Sequence, residues 1–169
     1  MREPFGNVKR ADICIINSKF SEKQPLPKRF LKHFNGIPLF YANYKALGFF
    51  DLKNQQFYKL SDFSGQKSLV VCGIARPESF LYKLTKNNID ITNKLIFKDH
   101  NNYDSSEIEL IRKQFYETNS YSVLTTQKDA VKLSNFIKEM DDIDIYYLKI
   151  ALHLDDEKYF NELLMKSIK

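Results

Sequence analysis

Leu69-Val70-Val71-Cys72-Gly73-Ile74-Ala75-Arg76-Pro77-Glu78-Ser79-Phe80 is the stretch that decides the fold. An apolar run fit for a buried strand stops at Gly73 and hands over to Pro77, a residue suited to the first turn of a helix. In open α/β sheets such a turn lies at the carboxyl end of a strand, where ligands bind. The same rhythm continues downstream. A helix over 77–87 puts Phe80, Leu81 and Leu84 on one face, and a strand follows over 91–97. Asp104 and Glu107 have capping-box spacing ahead of a helix carrying Ile108, Ile111 and Phe115. Tyr121–Leu124 is a strand, 128–138 a helix with Val131 and Ile137 facing inward, and Ile143–Leu148 a strand. Asp155 is expected to cap a last helix with Phe160, Leu163 and Leu164 as its apolar stripe. Strands alternating with helices predict right-handed βαβ units, hence an α/β fold: a three-layer α/β/α sandwich with a mostly parallel sheet.

Upstream the pattern differs. Ala11–Asn17 reads as a strand buried on both faces, and 28–34 as a short helix. Ile37–Leu47 and Gln55–Leu60, separated by Gly48, Asp51 and Asn54, read as two strands of an aromatic, half-exposed antiparallel ribbon. The expected division is therefore 1–36, a ribbon over 37–67, and the main sandwich over 68–169.

Composition narrows the classes. With 43% hydrophobic and 14% aromatic residues in 169, the chain can bury a core. Its 26 basic and 21 acidic residues leave a formal charge of +5, a weak preference for anionic partners. No apolar run approaches the ~20 residues needed to span a bilayer. Cys14 and Cys72 both sit in apolar runs with no C-x-x-C pair, so they read as small hydrophobes in a reducing compartment. The basic residues are scattered without an aromatic platform, which argues against nucleic acid. The five glycines form neither G-x-x-x-x-G-K-[ST] nor G-x-G-x-x-G, so nothing here cradles a triphosphate in the usual way.

Three turns hold the chemistry-bearing side chains: 73–78, with Arg76 and Glu78; 98–103, with Asp99 and His100; and 125–129, with Thr126 and Lys128. A parallel sheet would open all three on one edge. On residues alone His100 is either an exposed loop histidine or half of an acid/base pair. His33, His100 and His153 have no metal-ligand spacing, so no metal site is expected. Thr126 reads as a helix cap, with an anion site at the helix start as the alternative. Arg76 and Glu78 read equally as a surface ion pair.

Five blocks in order resemble the C-terminal half of the tetraacyldisaccharide 4'-kinase family, the lipid A 4'-kinases. They are Arg2-Glu3-Pro4; Lys9-Arg10-Ala11-Asp12; Gly73 to Phe80; Phe97-Lys98-Asp99-His100 with Tyr103; and Leu124 to Lys132. The resemblance implies two α/β/α sandwiches with a two-stranded linker, here 37–67. It also implies ATP- and Mg²⁺-dependent phosphorylation of the 4'-hydroxyl of a membrane lipid, the tetraacyldisaccharide 1-phosphate, by a cytoplasmic enzyme at the inner face of the inner membrane. The family's Walker A loop and catalytic aspartate have no counterpart in these residues. The chain is then expected to be inactive alone, to hold no cofactor tightly, and to need a P-loop domain as partner. By the same resemblance His100 would orient that aspartate, Asp99 would orient His100, Arg2 and Glu3 would line the substrate and phosphate cleft, and Arg76, Glu78, Thr126 and Lys128 would shape its edge. Three positions depart from the family: Asn101 where a second histidine is common, Gln127 where glutamate is usual, and Met1 for leucine. The start in mid-motif suggests a fragment or a truncated product. Two other readings stay open: a non-catalytic α/β module that binds a partner, and a small stand-alone enzyme with an anion-binding edge.

Overall fold

The computed structural model describes residues 3–18, 25–99 and 101–167. They form two compact units, residues 1–45 with 151–169, and residues 46–150. The expected ribbon over 37–67 is not a unit in this division. The boundary falls inside it, between Lys45 and Ala46.

In the first unit a 3-10 turn, Phe5–Arg10, leads to β1 (Cys14–Asn17), which pairs in parallel with the start of β2 (Leu39–Asp51) from Cys14↔Leu39 to Asn17↔Ala42. Between them α1 (Lys28–Leu31) continues as a 3-10 turn to Phe34. The two-sided burial expected of β1 is not found: Ile15 is 48% exposed, because β1 is the terminal strand and has a neighbour on one side. The unit closes with the end of β7 (Ile145–Leu154) and with α5 (Glu157–Ser167). The Phe160 ring of α5 meets Phe40 edge-on at 5.2 Å. Asp155 does not cap α5. Its Oδ1 accepts the Tyr41 N–H at 2.6 Å, and its own N–H donates to the Tyr41 carbonyl at 2.9 Å. The cap is Asp156, left-handed at φ 51°, whose Oδ1 accepts the Tyr159 N–H at 3.3 Å.

The second unit is the sandwich. Its sheet runs β2-β7-β6-β4-β5, with β3 (Phe57–Tyr58) on β2. The antiparallel β2–β3 ribbon is short, with Phe49↔Tyr58 and Phe50↔Phe57 as its pairs. β2 does not end at Gly48 but runs on to Asp51. β4 (Ser68–Cys72) pairs in parallel with β5 (Asn93–Ile96) and with β6 (Ser122–Thr126), and β6 in parallel with β7. Flanked by β5 and β6 and covered by helices, β4 is buried at every residue. The buried Ser68 and Ser122 hydroxyls, opposite one another in the β4–β6 register, satisfy each other at 3.0 Å.

The chain leaves β4 toward β5 on one side and returns to β6 on the other. Right-handed crossovers in opposite directions put their helices on opposite faces. So α2 (Pro77–Lys86) buries Phe80 and Leu84 with Val70, Cys72 and Leu124 on one face. On the other, α3 (Ser105–Glu117) and α4 (Gln127–Leu133) bury Ile108, Ile111, Phe115, Ala130 and Leu133 with Leu69, Val71 and Val123. The expected three layers and mostly parallel sheet are present. The helix expected over 128–138 is α4 followed by a 3-10 segment to Met140. Its inward face is Ala130 and Leu133, which leaves Val131 69% exposed rather than buried, while Ile137 packs against the core as expected.

Candidate functional site

The gap beside β4, where the strand order reverses between β5 and β6, is the topological switch point, and open α/β sheets bind ligands outside the carboxyl ends of strands there. Gly73 stands at that gap and shows how closely the three turns meet. A Cβ on it would lie 3.1 Å from the Asn101 Cβ, 3.2 Å from the Lys98 carbonyl oxygen and 3.4 Å from Asp129 Oδ1. The turns after β4, β5 and β6 thus converge on one sheet edge, as the parallel topology requires.

The 98–103 turn is built from named contacts. The Phe97 N–H continues the ladder to the Cys72 carbonyl at 2.8 Å, and the Asn101 N–H closes on the Lys98 carbonyl at 3.2 Å. Asn101 Nδ2 donates to Glu107 Oε1 at 2.8 Å, while Glu107 Oε2 accepts the Asp104 N–H at 3.0 Å. Asp104 Oδ1 in turn accepts the Ser106 and Glu107 N–H groups at 3.0 and 3.1 Å, completing the capping box read from the sequence. Lys132 Nζ donates to the Asn101 carbonyl at 2.6 Å. Tyr103 is buried with its ring edge-on to Phe97 at 5.3 Å.

Thr126 is the cap of α4: its Oγ1 accepts the Asp129 N–H at 3.2 Å and donates to Asp129 Oδ2 at 2.6 Å. The Thr126 hydroxyl and the Asp129 N–H are therefore committed to the cap, which takes these two donors from an anion at the helix start. Asp129 is buried, and its Oδ1 has no hydrogen-bond partner among the described residues; the Tyr103 hydroxyl and Thr125 Oγ1 likewise have none. Burial, then the nearby Asp129 carboxylate, push the Tyr103 phenol far above its ordinary range. The Cys72 thiol is pushed up to about 12 by burial and then by Asp129 and Glu78. Neither is a nucleophile or base near neutrality.

Asp99 lies exposed in the 98–103 turn. Arg76 occupies the N-cap position of α2 without a side-chain cap bond, and Glu78 lies exposed in its first turn. No ion pair joins them among the described residues. Lys128 is exposed. Glu3 belongs to the first unit, where its Oε2 accepts from Asn7 Nδ2 at 3.1 Å and lies 3.7 Å from Arg10 Nη2. His100 and Arg2 lie outside the described residues. Among the described residues no group of three or more His, Cys, Asp or Glu is arranged to hold a metal ion. Sequence reasoning missed Gly73, Asn101, Glu107 and Lys132 as the residues that join the turns. The signals for them are partial: the capping-box spacing of Glu107, the strand end at Gly73, the place of Asn101 in the 98–103 turn, and the place of Lys132 at the end of the Leu124 to Lys132 block.

A family model described as LpxK, tetraacyldisaccharide-1-P 4'-kinase, matches residues 1–169. The chain belongs to this kinase family. Tetraacyldisaccharide 4'-kinases of Francisella tularensis subsp. tularensis and of Francisella novicida are each 30% identical to it over 155 residues, 92% of this chain and 44% of theirs. The chain thus spans less than half the length of these curated relatives. A crystal structure of LpxK from Aquifex aeolicus, in complex with ATP, shares the fold at a TM-score of 0.66 and 18% identity, over 98% of this chain and 45% of that one. Among the described residues no helix is long and apolar enough to cross a membrane.

Proposed function

We propose that these residues supply one wall of the active-site cleft of a lipid A 4'-kinase, which transfers a phosphoryl group from ATP to the 4'-hydroxyl of the tetraacyldisaccharide 1-phosphate. The family match over the whole chain carries this reading. Loose phosphoryl-transfer transition states are stabilised by Mg²⁺ and by donors placed around the phosphates. The residues here do not fit those groups. No Walker A loop and no metal-holding cluster is found among those described, so ATP and Mg²⁺ fall to a P-loop domain. What this chain contributes is the turn after β5. His100 holds the aspartate of that domain in the orientation needed to take the sugar hydroxyl proton, and Asp99 orients His100. Arg2 and Glu3 line the cleft toward phosphates and lipid. Arg76, Glu78 and Lys128 shape its edge, and Thr126 acts there through α4. The lipid partner places the enzyme at the cytoplasmic face of the inner membrane.

The test is steady-state kinetics of the kinase formed by this chain and a P-loop domain. His100→Ala should lower kcat by ~10²-fold or more with KM little changed, because it disturbs the base and not the binding of substrate. The 169-residue chain alone should give no ATP turnover with the lipid acceptor. An unchanged kcat in the variant removes His100 from the mechanism, and turnover by the chain alone refutes the division of labour.

A further inference from the structure

We propose that Lys132 is a positioning residue for the 98–103 turn, acting on the segment that carries Asp99 and His100 through the main chain of Asn101; its bearing on catalysis rests on the function proposed for His100. β5 is the last strand of the sheet and pairs on one side only, and among the described residues the ladder bond from the Phe97 N–H is the last before the turn. Within the turn, Asn101 is held from two helices. Glu107 of α3 takes its side-chain amide at 2.8 Å, and Lys132 of α4 takes its carbonyl oxygen at 2.6 Å. Gly73 supplies the floor, since a side chain there would press on the Asn101 Cβ and the Lys98 carbonyl.

Lys132 suits this role because its own helix is anchored. Asp129, Ala130 and Leu133 of α4 are buried, and Thr126 and Asp129 lock its start. No carboxylate pairs with Lys132 among the described residues. Its ammonium is committed to a main-chain carbonyl, a charge-assisted bond to the backbone one residue past His100. A surface lysine kept for solubility would not need that partner. A group that fixes a reacting side chain through its neighbours changes rate by holding geometry, while substrate affinity stays close to unchanged.

The experiment compares the 169-residue chain with Lys132→Met and Lys132→Arg by amide hydrogen exchange, with β4 amides as the internal control of folding. Lys132→Met should speed exchange at Asn101–Tyr103 by ~10-fold or more while β4 is unaffected, and Lys132→Arg should restore protection. In the kinase formed with a P-loop domain, Lys132→Met should lower kcat by ~10-fold with KM within ~2-fold, again rescued by arginine. Should Lys132→Met fail to fold, Lys132→Ala serves both arms. Unchanged exchange at Asn101–Tyr103 overturns the proposal. So does a full kcat in Lys132→Met where His100→Ala is inactive. A full kcat in His100→Ala overturns the functional reading instead, and the exchange data then decide the tether alone.

Discussion

Two glycines show what single residues decide here. At Gly48 an added Cβ would sit 2.3 Å from a Phe57 ring carbon and 2.5 Å from the Tyr58 carbonyl oxygen. The second of these is main chain of the paired strand and cannot swing away. Gly48→Ala should therefore destabilise by about 1–3 kcal/mol, the usual range for forcing extra volume into a packed site. At Gly73 the contacts are 3.1 to 3.4 Å, tight but short of overlap. Gly73→Ala should cost less in thermal melts and displace the 98–101 turn, seen as amide shifts confined to it. Equal loss of stability at the two positions would refute this ordering. Sequence marked both glycines as stops. Gly73 does end its strand, whereas Gly48 lies within one, because its partner's side chain needs the space.

Elements were legible where their determinants are local. The capping box of α3 and its Ile108, Ile111 and Phe115 face follow from spacing within one helix, and both are found as expected. The faces of α4 were not: Ala130 and Leu133 take the core side, which leaves Val131 in water, and the passage into a 3-10 segment after Leu133 changes the periodicity that Ile137 follows. Asp155 failed as a cap for a similar reason: a strand residue 114 positions away takes its carboxylate. One contact between elements has a pH signature. Arg112 of α3 grips Asp142, in the turn between the 3-10 segment and β7, through both terminal guanidinium nitrogens and also donates to the Glu139 carbonyl at 2.7 Å; the Tyr116 hydroxyl adds a further bond to Asp142. The Arg112 and then the Tyr116 hydrogen bonds hold the Asp142 carboxyl well below the ordinary carboxylate range. A carboxylate depressed in the folded state stabilises above its unfolded pKa, about 4, and that contribution is lost as pH falls through the folded value. Asp142→Asn should thus lower the melting temperature by a few degrees at pH 7, with the gap to the parent narrowing below about pH 4. A gap that stays constant down to about pH 2 would show that the contact does not titrate with folding.

Across the whole molecule the charge is unevenly divided. Twelve basic and seven acidic residues fall in the unit 1–45 with 151–169, and fourteen of each in 46–150, so the net +5 lies wholly in the first unit. Among the described residues, both hydrophobic core clusters lie in the second. For an enzyme of a phosphorylated lipid, the proposed function makes the first unit the one that feels an anionic membrane. Sedimentation with vesicles carrying anionic phospholipid should show binding that falls with added salt. The triple variant Lys28→Glu, Arg29→Glu, Lys32→Glu should lose ~10-fold or more of it, while Lys83→Glu with Lys86→Glu, in the second unit, should change it less than ~2-fold. Equal losses in both sets would mean that only total charge matters.

The chain's sequence alone determined the α/β class, the strand-turn-helix alternation from Ser68 onward, the α3 cap and the three turns worth watching, because each follows from periodicity and spacing within a dozen residues. Only the tertiary structure decided that Gly73 is the floor on which three turns meet, and that Lys132 reaches the Asn101 carbonyl from the helix after the next strand. Those contacts join residues brought together by crossovers on opposite sides of β4, and strand order is set by packing over the whole sheet, which no local pattern encodes.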